Sequence, residues 1–309
     1  MNLIERVIVY NYKVPYLVRE ILFHFKLFFH NKINYLWVNK ANLKNNSKLS
    51  KSLKKEGIVF LGDSTKPNPS ELQGMLSHLD LIDNKYAHNK DDYKISYETN
   101  DLAQNNYFIN LALNDEVISL AGSYFNAIPK IAFLKAWKVN SGAGDLAEMS
   151  FHMDHHGHRF LKAFWYLNDV EEGSGHHEFI KKTHMQPAFD KFLKTASRDI
   201  KLEISNKRNK KGKFLMDNKL VLDTFKEDVL KISGVAGSAF IEDTRGLHRG
   251  TEMPLGKNRI IYQVLYVPYV SYKDKGAHMK ISDTSKIEEI CNSNPSKSLL
   301  YKSIFSDLI

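Results

Sequence analysis

Cysteine is almost absent: Cys291 stands alone in 309 residues. A lone thiol excludes an intramolecular disulfide and any zinc cluster built on cysteine, and it fits a reducing, cytoplasmic setting. Long apolar runs are missing too. Arg19, Glu20, His24 and Lys26 interrupt the most apolar region, so no window reaches the roughly 18 consecutive apolar residues of a spanning helix. Glu5 and Arg6 stand where a secretory signal would carry a basic stretch leading into an apolar one, and no such signal is expected. The chain has no internal repeat, no phosphate-cradling glycine loop and no basic-aromatic pattern of a nucleic-acid module, so nucleic acid is not an expected partner.

What is present suits a sizeable core, with 43% hydrophobic and 12% aromatic residues. Lys and Arg total 44 against 35 for Asp and Glu, a formal charge of +9 that favours an anionic partner, whether substrate or membrane surface. Much of that excess lies in Lys40 to Lys55 and Lys207 to Lys213, which read as solvated segments. The whole of 1–309 reads as one domain: a helical extension to about residue 50, a strand-rich core over about 131–270 with an insertion over about 185–235, and C-terminal helices over 275–309.

In the extension, Val14, Leu17, Val18, Ile21, Leu22, Phe25, Phe28 and Phe29 recur at helical spacing. An amphipathic helix over residues 14–29 either packs on the domain or makes a peripheral contact with an anionic membrane. Asn42 to Lys55 reads as a linker or exposed turn, and residues 84–106 read as a loop. Helices are expected from Ser70 to Leu81 and from Leu111 to Asn126, the second capped near Asn114. After Pro129 strands predominate: Ile131 to Val139, Leu146 to Met153, Arg159 to Leu167, Glu178 to Ile180, Ser238 to Glu242 and Arg259 to Val267.

Thirteen histidines make a His-x-acid triplet unremarkable, and there are three. In His78-Leu79-Asp80 a helix would point the two side chains about 200° apart. His176-His177-Glu178 follows a Gly-Ser-Gly turn and reads as an exposed cluster. His152-Met153-Asp154 sits near a strand end, where alternation sends both side chains to one face about 7 Å apart. His248 lies 96 positions on (248 minus 152), just after a β-like segment, and is the best second imidazole. Two imidazoles and a carboxylate leave three sites of an octahedron open, as non-haem Fe(II) requires to hold a chelating co-substrate and dioxygen. Arg259 opens the last strand with a guanidinium suited to the far carboxylate of a 2-oxo diacid, and alternation places Gln263 on its face.

These segments resemble the phytanoyl-CoA dioxygenase family of Fe(II)- and 2-oxoglutarate-dependent oxygenases, over about Ile131 to Val267. The anchors are His152 and Asp154, the stretch Phe164-Trp165-Tyr166-Leu167-Asn168-Asp169 running into Gly173-Ser174-Gly175, and Asp243-Thr244 through His248-Arg249-Gly250 with Arg259. The resemblance implies an α+β fold with a double-stranded β-helix core, jelly-roll and cupin-like, flanked by helices. It implies Fe(II) on His152, Asp154 and His248, and 2-oxoglutarate on Arg259. Two departures stand out. Many members carry a hydroxyl residue where this chain has Gly250, with Thr251 adjacent, and many have Gly-Ser-His where this chain has Lys182-Thr183-His184. The retained Asp154 favours hydroxylation over halogenation.

The resulting expectation is an oxygenase that hydroxylates an unactivated C–H bond of a small, anionic substrate and releases succinate and CO2. Phe164, Trp165, His155, His156 and His158 are candidate pocket walls, although His155 to His158 equally suit a surface loop. The competing readings are a non-catalytic β-helix protein binding a carbohydrate or a membrane surface, and a zinc hydrolase, which leaves Arg259 without a task.

Overall fold

The computed structural model describes residues 17–25, 27, 48–86, 94–141, 147–154, 156–185, 214–268, 280–306 and 308–309. In chain order these hold α1 (Lys48–Glu56), β1 (Ile58–Phe60), α2 (Pro69–Tyr86), β2 (Lys94–Tyr97), α3 (Thr99–Leu102), α4 (Asn106–Ala112), α5 (Asp115–Phe125), β3 (Lys130–Asn140), β4 (Phe151–Met153), β5 (Leu161–Tyr166), β6 (His177–Ile180) and β7 (Phe214–Met216). They continue with α6 (Asn218–Phe225), β8 (Val229–Ile232), β9 (Ala239–Glu242), β10 (His248–Gly250), β11 (Asn258–Val267), α7 (Ser285–Ser293) and α8 (Ser298–Phe305). The strands form two antiparallel sheets, ordered β1-β9-β5-β11-β3-β2 and β7-β4-β10-β6-β8.

Side-chain chemistry fixes the helix ends. Asn68 and Glu71 form a reciprocal capping box at α2, with Glu71 N donating to Asn68 Oδ1 at 3.0 Å and Asn68 N to Glu71 Oε2 at 2.8 Å. Pro69 occupies the first helical position, where no amide hydrogen is needed. Asn114 accepts from Glu116 N and Val117 N to start α5, and Asn126 ends it in the left-handed conformation with φ 55°. These helices cover the outer face of the larger sheet. Phe108, Ile109, Val117 and Leu120 pack there on Leu134, Ala136, Ala163, Trp165, Tyr262 and Val264, and α7 and α8 add Ile287, Cys291 and Phe305. The smaller sheet buries its outer face under α6, through Phe151, Met216, Val221 and Leu247. Between the sheets lies a second apolar layer of Ile58, Phe164, Tyr166, Phe179, Ile232, Phe240 and Ile261.

Several expectations need correction. From Lys48 onward the expected linker is helical, with Ser50 and Leu53 buried beneath a lysine-rich outer face. The expected loop over 84–106 contains β2 and α3, because the alternation of Lys94, Ile95, Ser96 and Tyr97 makes an edge strand too short to stand out. The single helix expected from Leu111 to Asn126 is two, broken where Asn114 caps the second. His176, His177 and Glu178 are buried instead of exposed, since the Gly-Ser-Gly turn leads directly into β6. Trp165 is not a pocket wall: alternation along β5 turns it to the outer face, where Nε1 donates to Thr65 O at 3.0 Å.

The N-terminal amphipathic stretch is helical over 17–25, with Phe23 buried and Leu17, Ile21 and Phe25 exposed. Glu20 ties it to the domain through His158 Nε2 at 2.7 Å and Arg159 Nη2 at 2.5 Å. No helix among the described residues is long and apolar enough to cross a membrane. His155 and the Lys207 to Lys213 segment lie outside the described residues.

Candidate metal centre and cavity

β4 and β10 are three-residue strands paired antiparallel, with His152 directly opposite His248 and their ring centroids 4.2 Å apart. Asp154 follows β4 by one residue, and its backbone N–H donates to Thr244 O at 2.8 Å, which holds the carboxylate beside both rings. Ligand atoms of His152, Asp154 and His248 all lie within 4.8 Å of one another, the single such group among the described residues. His248 Nε2 and Asp154 Oδ2 are 3.4 Å apart, a separation that one ion with bonds of about 2.0–2.2 Å bridges.

The two rings are oriented from behind. His152 Nδ1 lies 2.9 Å from Ser150 O, and His248 Nδ1 lies 2.9 Å from Gly246 O. A carbonyl can only accept, so Nδ1 carries the proton and Nε2 keeps its lone pair for a metal. Around Asp154, burial raises the carboxyl's pKa, yet Lys162 and His248 outweigh it and hold the group well below the usual carboxylate range. Lys162 Nζ is 2.5 Å from Asp154 Oδ2. Burial depresses His248, but Asp154 reverses the sign and leaves it raised.

Strand register explains how the larger sheet presents charge to this centre. On β11, Arg259, Ile261 and Gln263 face Val139, Trp137 and Lys135 of β3, and β2 brings Lys94 opposite Val139 and Ser96 opposite Trp137. On the other side of β11, Phe164 of β5 pairs with Gln263, and Lys162 pairs with Leu265. Lys162 in turn pairs across β5 with Glu242 of β9. Burial pushes the Glu242 carboxyl up to about 8, and it lies 3.0 Å from His177 Nε2. Burial first, then the charge of His248, holds His177 well below its ordinary value. Both shifts favour the uncharged form of the two groups.

These side chains line one cavity of about 510 Å³ that contains His152, Asp154, His248, Arg259, Gln263, Thr251, Phe164 and His156 together. Two polar atoms on its wall, Arg259 Nε and Gln263 Nε2, are shielded from solvent and have no hydrogen-bond partner among the described residues. Arg259 Nη1 donates to Gly175 O, but the guanidinium forms no ion pair among the described residues. An unpaired cation in a buried wall is costly, and an anion in the cavity would offset that cost.

Gly250 explains one departure in the sequence. A Cβ there would come within 2.9 Å of Arg259 Nη2 and 3.0 Å of Nη1, so the bare backbone gives the guanidinium its passage. Thr251 lines the cavity, but its hydroxyl is engaged by His176, 3.0 Å from both the carbonyl and Nδ1. At the other departure, Lys182 adopts φ 68°, the left-handed backbone that glycine would take without strain. His156 meets Phe133 and Phe160 edge-on at the cavity wall, whereas His158 is buried away from it against Glu20.

Sequence reasoning did not single out Lys162, Glu242, Lys94, Lys135 or Trp137. For Lys162 a signal existed: it is the one charged residue within the strand Leu161-Lys162-Ala163-Phe164-Trp165-Tyr166, and a buried lysine needs a partner.

No family profile matches the sequence, and no curated protein does. Among solved structures, the fold is similar to that of HygX from Streptomyces hygroscopicus with nickel and 2-oxoglutarate bound, at 12% identity and TM-score 0.52, over 74% of this chain and 90% of that one. It is also similar to the epimerase SnoN in complex with Fe3+, alpha ketoglutarate and nogalamycin RO, at 13% identity and TM-score 0.51, over 74% of this chain and 84% of that one. At these identities the likeness is one of fold.

Proposed function

We propose that the chain is an Fe(II)- and 2-oxoglutarate-dependent oxygenase of the phytanoyl-CoA dioxygenase type, its two sheets forming a double-stranded β-helix. In this reading it hydroxylates an unactivated C–H bond of a small molecule. The observation that carries the proposal is Arg259, whose Nε is buried without a partner among the described residues on the wall of the same cavity as His152, Asp154 and His248. A zinc hydrolase or a neutral-ligand binding protein leaves that guanidinium unexplained.

His152, Asp154 and His248 would hold the iron on one face, which leaves room for a chelating 2-oxo acid and dioxygen. Bound iron and 2-oxoglutarate supply the oxidising power, with succinate and CO2 as co-products. The rest falls to the chain's own residues. Arg259 receives the distal carboxylate in a bidentate pairing, Gln263 Nε2 adds a donor beside it, and Gly250 keeps the approach clear. Lys162 keeps Asp154 ionised and fixed, and the Nδ1 contacts of both histidines fix the ring orientations. Phe133, Trp137 and Phe164 form an apolar wall that limits bulk water around the reacting C–H bond.

The test is anaerobic addition of Fe(II) and 2-oxoglutarate to the purified protein. A weak visible charge-transfer band of the chelated 2-oxo acid is expected, and folded protein that shows no band would refute the proposal.

A further inference from the structure

Beyond the iron and 2-oxoglutarate positions, one wall of the cavity carries charged groups that have no task in the proposed reaction. It is the face that β2 and β3 present. Along β3, alternation places Phe133, Lys135, Trp137 and Val139 on this face, and the register brings Lys94 beside Val139 and Ser96 beside Trp137. Trp137 therefore lies between two lysines: Lys135 is two residues along its own strand, about 7 Å away, and Lys94 is on the neighbouring strand. Lys94 Nζ sits 5.1 Å from the Trp137 ring centroid, and Lys135 Nζ 5.6 Å from that of Phe133. Each ammonium is thus held over an aromatic face within reach of the cavity.

Both lysines have carboxylate partners that a ligand can replace. Lys94 pairs with Glu148 at 3.2 Å and Lys135 with Glu98 at 3.2 Å, all four side chains being partly exposed. Ion pairs of this kind contribute only about 0–1 kcal/mol, so exchanging a partner costs little. The cavity lining carries Lys94, Lys135, Lys162 and Arg259 against Glu148 and Asp154. Four positive charges against two negative leave +2. Fe(II) and dianionic 2-oxoglutarate cancel, so their binding does not change that excess. Asp154 already engages Lys162 and the co-substrate would engage Arg259, which leaves Lys94 and Lys135, held by the exchangeable carboxylates of Glu148 and Glu98, as the cations available to a substrate.

We propose that the substrate is an organic anion, a carboxylate or phosphate ester with a flat or apolar body. Its body stacks on Trp137 and Phe133, and its charged end is taken by Lys94 and Lys135. This rests on the oxygenase reading for its orientation toward the iron, but the recognition itself can be measured without iron.

The probes are naphthalene-2-carboxylate, 2-naphthyl phosphate and the neutral naphthalene-2-carboxamide. Binding is followed by calorimetry on the full chain, with and without anaerobic Fe(II) and 2-oxoglutarate. At least one anion should bind tenfold or more tightly than the carboxamide, and whichever is tighter identifies the charged group. The double variant Lys94→Met with Lys135→Met should erase the preference while leaving the melting temperature and the 2-oxoglutarate band in place. Equal affinity for amide and anions overturns the proposal. So does a preference that survives the double substitution, since it would place the anion at Arg259. Absence of the visible band counts against the oxygenase reading alone, because the lysine-dependent preference is scored separately.

Discussion

The space between the two sheets has two halves made by the same strands. One half is dry: Ile58, Phe164, Tyr166, Phe179, Ile232, Phe240 and Ile261 interlock there. The other is polar, holding His152, Asp154, Lys162, His248, Arg259 and Gln263 around a cavity. β11 supplies Ile261 to the first and Arg259 and Gln263 to the second, while β5 supplies Phe164 and, two residues away, Lys162. Backbone geometry is common to both halves, so the difference lies in side chains alone. Apolar burial at roughly 25 cal/mol per Å² stabilises the first. Buried charge in the second works against folding, and its arrangement makes sense as preparation for ligands.

The comparison can be broken from either side. The largest effect is expected in the dry half, where Phe240 is buried against Phe164 with centroids 4.9 Å apart. Phe240→Ala should cost about 3–5 kcal/mol, read by urea denaturation, with the folded fraction still binding 2-oxoglutarate. The polar half should behave oppositely. Arg259→Met removes a charge that has no ion-pair partner among the described residues, and it should leave stability unchanged or raise it. The same change should weaken 2-oxoglutarate binding at least a hundredfold.

Glu242 sharpens the contrast through pH. Its carboxyl is raised from an ordinary 4.5 to about 8 by burial, so in that window the folded state binds more protons than the unfolded one. Its contribution is fully present below pH 4.5 and is lost as the pH rises through about 8. The metal-free protein should lose stability across this range, and Glu242→Gln should flatten the loss, as measured by melting temperature against pH. The smallest effect belongs to neither half. Lys182→Gly relaxes a left-handed residue and should raise stability by roughly 1 kcal/mol or less, because it also gives up partly exposed contacts with Asp228 and Glu56.

Where the sequence pattern was legible, it was legible for physical reasons. A ten-residue strand such as β11 shows its alternation, which put Arg259 and Gln263 on one face, and the His-x-Asp spacing pointed to one end of β4. β10 and β7 are three residues long, too short for a period to emerge. The pairing of His248 with His152 is a register between segments 96 positions apart (248 minus 152), which no local pattern encodes. Lys162 and Glu242 gain meaning only from the β5 to β9 register. His177 was misread because a Gly-Ser-Gly turn signals surface, whereas the strand it opens runs straight inside. Trp165 stands three residues from Lys162 on β5, so alternation sends it to the face opposite the cavity.

The central claim is that His152, Asp154, His248 and Arg259 together hold a metal and a 2-oxo diacid. The most direct measurement is a crystal structure of the protein grown anaerobically with Mn(II), standing in for Fe(II), and 2-oxoglutarate, with anomalous scattering used to locate the ion. The expected result is one ion bonded to His152 Nε2, His248 Nε2 and an Asp154 carboxylate oxygen, with the distal carboxylate of 2-oxoglutarate paired to Arg259. An ion bound elsewhere, or Arg259 left without a carboxylate while the co-substrate lies in another part of the cavity, would contradict it.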